Sequence, residues 1–280
     1  MDISKEIYEY WSESPPYLSK YEEGTKEWSD SILDHKYEVY PYYENWIDFE
    51  KYEGKRVLDI GCGSGSDLLR LARSGAKIVG LDITDRAVEL SKKRLISENF
   101  NDFFITKYNG KSFDFFEDAS FDLVISSGVL HHTPFIDDII SEVYRVLSPN
   151  GKFSLMVYNK HSLLYYYSIL YLRRYLEKSS LSRDEILSFY SEFRNGCKYT
   201  RCYTENEIKD KLWFFNTVNT NINGLLYDTQ YSRKVKPKGK FNIYTGIADI
   251  DLFFKEYNIS LDKGDNMEKY GWHLFIKAIK

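Results

Sequence analysis

The chain is poor in the residues that staple, kink or anchor a fold. It carries 3 cysteines and 6 prolines among 280 residues. Cys62, Cys197 and Cys202 form neither a disulfide framework nor a zinc-ligand pattern. That predicts a metal-free protein of a reducing cytoplasm. No apolar run approaches the roughly 20 residues that a membrane span needs, and Met1-Asp2-Ile3-Ser4-Lys5-Glu6 holds no signal-peptide core. Positive charge is not in excess either: 38 Lys and Arg stand against 42 Asp and Glu, a net charge of −4. The global basic field that gathers nucleic acid is therefore missing, and nucleic acid is not an expected partner. Internal repeats and long linkers are absent as well. Tyrosine is abundant, with 25 residues, but abundance by itself assigns no role.

What is present is organised around residues 56–67. Val57-Leu58-Asp59-Ile60 is a short apolar run, as in a strand buried on both faces. It enters Gly61-Cys62-Gly63-Ser64-Gly65, and Ser66, Leu68, Leu69, Leu71 and Ala72 continue as a helix. Strand, glycine turn and helix make half of a nucleotide-binding unit. A second buried strand, Lys77 to Leu81, ends in Asp82, a carboxylate suited to ribose hydroxyls. The dinucleotide fingerprint would need glycine at position 66, which is Ser.

The remaining pattern alternates strand and helix, which predicts a parallel α/β sheet. Thr84-Asp85 caps a helix through Leu95, Phe103 to Ile105 is the third strand, and Leu123 to Ser126 the fourth. Asp137-Asp138 opens a helix, Ser148 to Gly151 is a turn, and Phe153 to Tyr158 is the fifth strand. Phe214 to Thr220 is expected as the sixth strand and Trp272 to Ile279 as the last. Before the sheet, Ile3, Ile7, Tyr10 and Trp11 fall at helical spacing, and Ser31 to Phe49 is helical with a break near Pro41. Four units follow: a helical lid at 1–53, the core at 54–159, a helical cap at 160–203, and the rest of the core at 204–280 with an insertion at 224–265. The cap holds helices from His161 to Leu176 and from Arg183 to Phe193, and a capping box at Thr204 to Glu207 starts the next helix.

The run from Asp59 through Gly61, Gly63 and Gly65 resembles motif I of the class I S-adenosylmethionine (SAM) dependent methyltransferases. Phe121-Asp122-Leu123-Val124, Gly128-Val129-Leu130-His131-His132, Val146 to Lys152 and Gly271-Trp272-His273 are similar to that family in order and spacing. The resemblance covers about residues 54–158 and the last strand, and is closest to the small-molecule branch that includes quinone-methylating enzymes. It implies a Rossmann-like sheet of seven strands with the last antiparallel, SAM as cofactor and S-adenosylhomocysteine as product. It implies that Gly61, Cys62, Gly63 and Gly65 meet the methionine half, that Asp59 orders their loop, and that Asp82 and Ile83 meet the nucleoside. Asn109 stands near where many relatives carry an acidic adenine contact, and Ser126 and Gly128 border the same cofactor. His131 and His132 are the expected catalytic residues, His131 as base or orienter of the acceptor. Tyr10, Trp11 and Tyr17 from the lid, with Tyr158, Asn159 and His161 from the fifth strand's rim, are candidate substrate contacts.

The expected activity is methylation of a small-molecule hydroxyl or phenol. A nucleoside- or tRNA-modifying methyltransferase, and a SAM-binding protein without catalysis, remain as alternatives. A basic loop at Arg233, Lys234, Lys236, Lys238 and Lys240 would attract an acidic group or a carrier protein. Oligomeric state has no signature in the sequence.

Overall fold

The computed structural model describes residues 3–13, 19–162, 164–165, 178–192, 196–224 and 270–280. In chain order the regular elements are α1 (Ile3–Glu13), α2 (Lys26–Val39), α3 (Glu44–Ile47), β1 (Arg56–Ile60), α4 (Ser66–Arg73), β2 (Lys77–Asp82), α5 (Asp85–Ser97), β3 (Phe103–Lys107), β4 (Phe121–Ser127), α6 (Ile136–Val146), β5 (Leu147–Asn159), α7 (Arg183–Tyr190), β6 (Cys202–Tyr203), α8 (Glu205–Lys211), β7 (Thr217–Asn223) and β8 (His273–Ile279). The strands form one sheet in the order β3-β2-β1-β4-β5-β8-β7, with the two-residue β6 beside β5. β1 to β5 run parallel, and β8 inserts antiparallel between β5 and β7. This is the Rossmann-like sheet that the resemblance implies, its final strand antiparallel.

Both faces of the sheet are covered, because successive strand residues point to opposite sides. Leu58, Ile60, Val79 and Val124 pack with Ile139, Ile140 and Val143 of α6 and Ile208 of α8. Val57, Ile78, Leu123 and Ile125 pack on the other face with Leu68 and Leu69 of α4 and with Leu33, Trp46, Ile47 and Phe49. Much of residues 28–52 is thus built into the core, while α1 buries Ile7 alone. Trp28 and Ile32 cluster with Leu90 of α5.

Of the boundaries that differ from expectation, three have a visible cause. α2 begins at Lys26 rather than Ser31, because the Thr25 side chain accepts from Trp28 N–H and starts the helix among polar residues. β7 spans Thr217–Asn223 rather than 214–220. Phe215 N–H donates to Leu212 O, so Phe214 and Phe215 close the α8 turn and pack inward instead of extending the strand. The expected turn at Ser148 to Gly151 lies within β5, as an irregularity where the register steps from Phe121↔Leu147 to Leu123↔Lys152. Asn150 takes φ 63° there. The capping box at Thr204 is formed with Glu207. Residues 163 and 166–177 of the expected cap helix, Tyr17, and the basic loop around Lys236 lie outside the described residues.

Candidate active site

β1 lies between β2 and β4: the chain runs outward through β2 to β3 and then crosses back to β4 on the other side of β1, so their carboxyl ends open a crevice at the sheet's switch point. The glycine loop fills one wall. Gly61 has φ 76°, and a Cβ there would stand 2.4 Å from Val129 Cγ2, so only glycine lets the loop pass the β4 rim. Gly61 and Cys62 both donate to Leu81 O, and Gly65, also at positive φ, leads into α4. From behind, Ser91 Oγ donates to Gly63 O at 2.7 Å and contacts Cys62 Sγ at 3.5 Å. Burial pushes the Cys62 thiol up, which suits a packing residue rather than a nucleophile. Ser126 Oγ donates to Ile60 O at 3.0 Å and ties β4 to β1.

Two carboxyl groups stand at this crevice. Asp82 Oδ2 accepts from Gly63 N–H at 3.0 Å, and Oδ1 from Thr84 N–H at 2.9 Å and Thr84 Oγ1 at 3.1 Å. Each carboxylate oxygen has two acceptor directions, so Oδ2 keeps capacity beyond the Gly63 bond. Burial holds the Asp82 pKa up against these donors. Asp59 is buried, and burial first, then Asp67, raises its pKa well above the usual carboxylate range, with Lys36 opposing. Lys36 Nζ reaches Asp67 Oδ1 at 2.5 Å and Tyr37 Oη donates to the same oxygen at 3.1 Å. The pair comes from residues 31 apart, and nothing in the sequence marked it. A buried carboxyl short of positive charge, next to a glycine loop and a ribose-competent carboxylate, fits a cationic nucleoside such as SAM. Asn109 spends its Oδ1 on Lys111 N–H at 2.8 Å and Ser112 N–H at 2.9 Å, closing its own turn. Ile83 packs half-buried against the core, and Gly128 turns at φ 77°.

The histidine loop forms the opposite wall. Leu130–His132 is a single 3₁₀ turn after β4, and both rings are buried. His131 lies with its ring centroid 3.7 Å from that of Tyr158 and 4.1 Å from that of His132. Neither ring nitrogen of His131 has a hydrogen-bond partner among the described residues. Burial, with His132 and His273 adding, lowers its pKa well below the usual histidine value, so the ring is neutral. His132 is anchored instead: Nδ1 meets Thr200 Oγ1 at 3.1 Å and Tyr199 O at 3.3 Å. Tyr158 stacks on Trp272 with centroids 4.1 Å apart, and its hydroxyl donates to Glu192 Oε1 at 2.6 Å. Trp11 of α1 meets His132 edge-on at 5.1 Å, and Tyr10 packs on Trp11.

The structure therefore brings His131, His132, Tyr158 and Trp11 together. Asn159 is instead a pin: Nδ2 donates to Gly271 O at 2.9 Å, and Oδ1 accepts from His161 N–H at 3.0 Å, while His161 is exposed. Glu192 and Thr200 were not singled out from the sequence, and Trp272 was read only as part of the last-strand motif, because they enter from segments 34 or more residues from Tyr158. Among the described residues no helix is long and apolar enough to cross a membrane.

A methyltransferase-domain family model matches residues 51–219. The ubiquinone biosynthesis O-methyltransferase of Haemophilus ducreyi is 26% identical over 75% of this chain and 95% of its own length. The sterol 24-C-methyltransferase of Yarrowia lipolytica is 33% identical over 55% of this chain and 39% of its own. In fold, the S-adenosylmethionine-dependent methyltransferase of Mesorhizobium loti superposes with a TM-score of 0.53 at 15% identity, over 89% of this chain and all of that one. With the glycine loop, the Asp82 carboxylate and the antiparallel last strand in place, the chain belongs to the methyltransferase-domain family, as a class I SAM-dependent methyltransferase.

Proposed function

We propose that the protein methylates a hydroxyl, a phenol above all, on a small apolar or aromatic molecule, with His131 taking the acceptor's proton. The observation that supports this most is the His131 ring, buried with both nitrogens unpartnered among the described residues. An unmet buried polar atom costs about 1–3 kcal/mol, and such groups gather where a ligand completes them. A neutral imidazole is the form that accepts a proton. The aromatic walls of Trp11, Tyr158 and Trp272 suit a flat apolar acceptor. The relatives support the small-molecule class: that of H. ducreyi is by name an O-methyltransferase, although the sterol enzyme is named for methylation at carbon.

In this reading Gly61, Cys62, Gly63 and Gly65 line the methionine half of SAM, Asp59 orders their loop, and Asp82 takes the ribose hydroxyls. Ile83 and the Asn109 turn border the adenine, and Ser126 and Gly128 close the β4 side. When bound, SAM supplies a methyl group on a cationic sulfonium and leaves as S-adenosylhomocysteine. His131 removes the acceptor's O–H proton as the oxygen's electron pair moves to the methyl carbon. α1 covers the histidine loop through Trp11 and keeps water out.

The test is incubation with SAM and a metabolite extract rich in phenols. A product heavier by one CH₂ unit and stoichiometric S-adenosylhomocysteine are expected, and both vanish in Gly63→Val. Methyl transfer found only to amines or only to carbon would overturn the hydroxyl assignment.

A further inference from the structure

We propose that Glu192, just past α7 in the insertion after β5, is the positioning carboxylate of the acceptor site, fixing the Tyr158 hydroxyl and the His132 ring against which His131 packs. This rests on the methyl-transfer reading above. The insertion is stitched to the histidine loop at several points. Arg201 N–H donates to His131 O at 2.9 Å, Thr200 holds His132 Nδ1, and Thr200 N–H donates to Ser188 Oγ at 3.0 Å. Glu192 is the carboxylate of this seam that meets the histidine loop. Its Oε1 accepts from Tyr158 Oη at 2.6 Å and lies 3.4 Å from His132 Nε2. That second separation is an ion pair without hydrogen-bond geometry, since His132 Nε2 makes no hydrogen bond among the described residues.

The consequence is a division of labour between adjacent rings. Around His132 the titratable groups are His131, Tyr158, Glu192 and Cys197. Burial lowers the His132 pKa, the neighbouring Cys197 and Glu192 raise it, and the net is upward, to about 10. His131, which has no such partner, is driven the other way. Neighbouring groups whose surroundings push their pKa values apart are how a site assigns one to hold a proton and the other to accept one. His132 is then the ring that keeps its proton, with Nδ1 held by Thr200 and Nε2 facing the Glu192 carboxylate at 3.4 Å. Its positive charge favours an oxygen acceptor that becomes anionic over an acceptor that is already cationic. His131 is left as the ring with capacity for the acceptor's proton. Because Glu192 also takes the Tyr158 hydroxyl, it sets the aromatic surface on which His131 lies.

Glu192→Gln keeps the shape and an acceptor for Tyr158 but removes the charge. In the full-length protein loaded with S-adenosylhomocysteine, the carbon-13 resonance of the His132 ring reports its titration. The midpoint should fall by more than about one pH unit in Glu192→Gln, and single-turnover methyl transfer to the acceptor should fall about 10–100-fold, by analogy with carboxylates that orient metal-bound imidazoles. Affinity for SAM should hold, and Glu192→Asp should restore part of the rate. An unmoved His132 midpoint, or a rate within about threefold of wild type in a folded variant, overturns the proposal. If Glu192→Gln melts early, Tyr158→Phe removes the same hydrogen bond from the other side. It must then lower kcat without raising KM for SAM; an unchanged kcat overturns the proposal equally. A near wild-type rate in His131→Ala beside an impaired Glu192→Gln removes His131 as base and leaves Glu192 in place. The converse result removes Glu192 alone.

Discussion

His273 stands at the start of β8, its ring stacked 6.3 Å from that of Tyr158 and hydrogen-bonded through Nδ1 to Tyr42 Oη at 2.9 Å. It is subject to the same desolvation that keeps His131 neutral, and burial lowers its pKa from 6.5 to about 3. The fold therefore favours the neutral ring. That contribution is complete above the unfolded value near 6.5 and is lost as pH falls toward about 3. Its slope is at most ~1.4 kcal/mol per pH unit. In urea unfolding below about pH 6.5, wild type should lose stability more steeply than His273→Gln by up to that slope. Parallel curves would mean that the ring is not held neutral. The glycines and Asp82 were legible as residues because their chemistry is local: a turn that demands positive φ, and a carboxylate at a strand tip. The preference of Glu192 for Tyr158 was not, because no local pattern records a partner 34 positions away.

Among the elements, α1 has one buried residue in its 11. It buries Ile7, and its contacts include Tyr8 Oη to Asp85 Oδ2 at 3.0 Å, Lys107 Nζ over the Tyr8 ring at 4.6 Å, and Trp11 against His132. Few buried apolar contacts mean a low cost of local opening. Hydrogen exchange should therefore be fast in α1 and slow in β1 and β4 without ligand. S-adenosylhomocysteine and acceptor together should slow α1 alone. Trp11→Ala should raise KM for the acceptor while changing global stability by less than about 1 kcal/mol, as a half-exposed change would. Protection in α1 equal to that in β4 before ligand is added would count against a lid. Helical spacing disclosed α1, and apolar runs disclosed the five parallel strands. The offsets at α2 and β7 arise where capping and turn packing override the apolar pattern, at Thr25 and at Phe214-Phe215.

For the whole molecule, alternation of strand and helix was enough to foresee the parallel sheet, and ordered motifs were enough to foresee an antiparallel final strand. The contacts that close the active site were not foreseeable in the same way. Lys36 with Asp67, Trp11 with His132, and Glu192 with Tyr158 each join units that the sheet order brings side by side only after folding. In the proposed mechanism this assembly sets a neutral His131 against an acceptor hydroxyl. Its most direct test is the single-turnover methyl-transfer rate of wild type and His131→Ala from about pH 6 to about pH 9. The account predicts a loss of roughly 10²–10⁴-fold in His131→Ala at neutral pH, unchanged SAM affinity, and partial recovery as rising pH ionises the acceptor without help. A His131→Ala rate within about tenfold of wild type, with no gain at high pH, would show that alignment alone carries the reaction and would contradict the account.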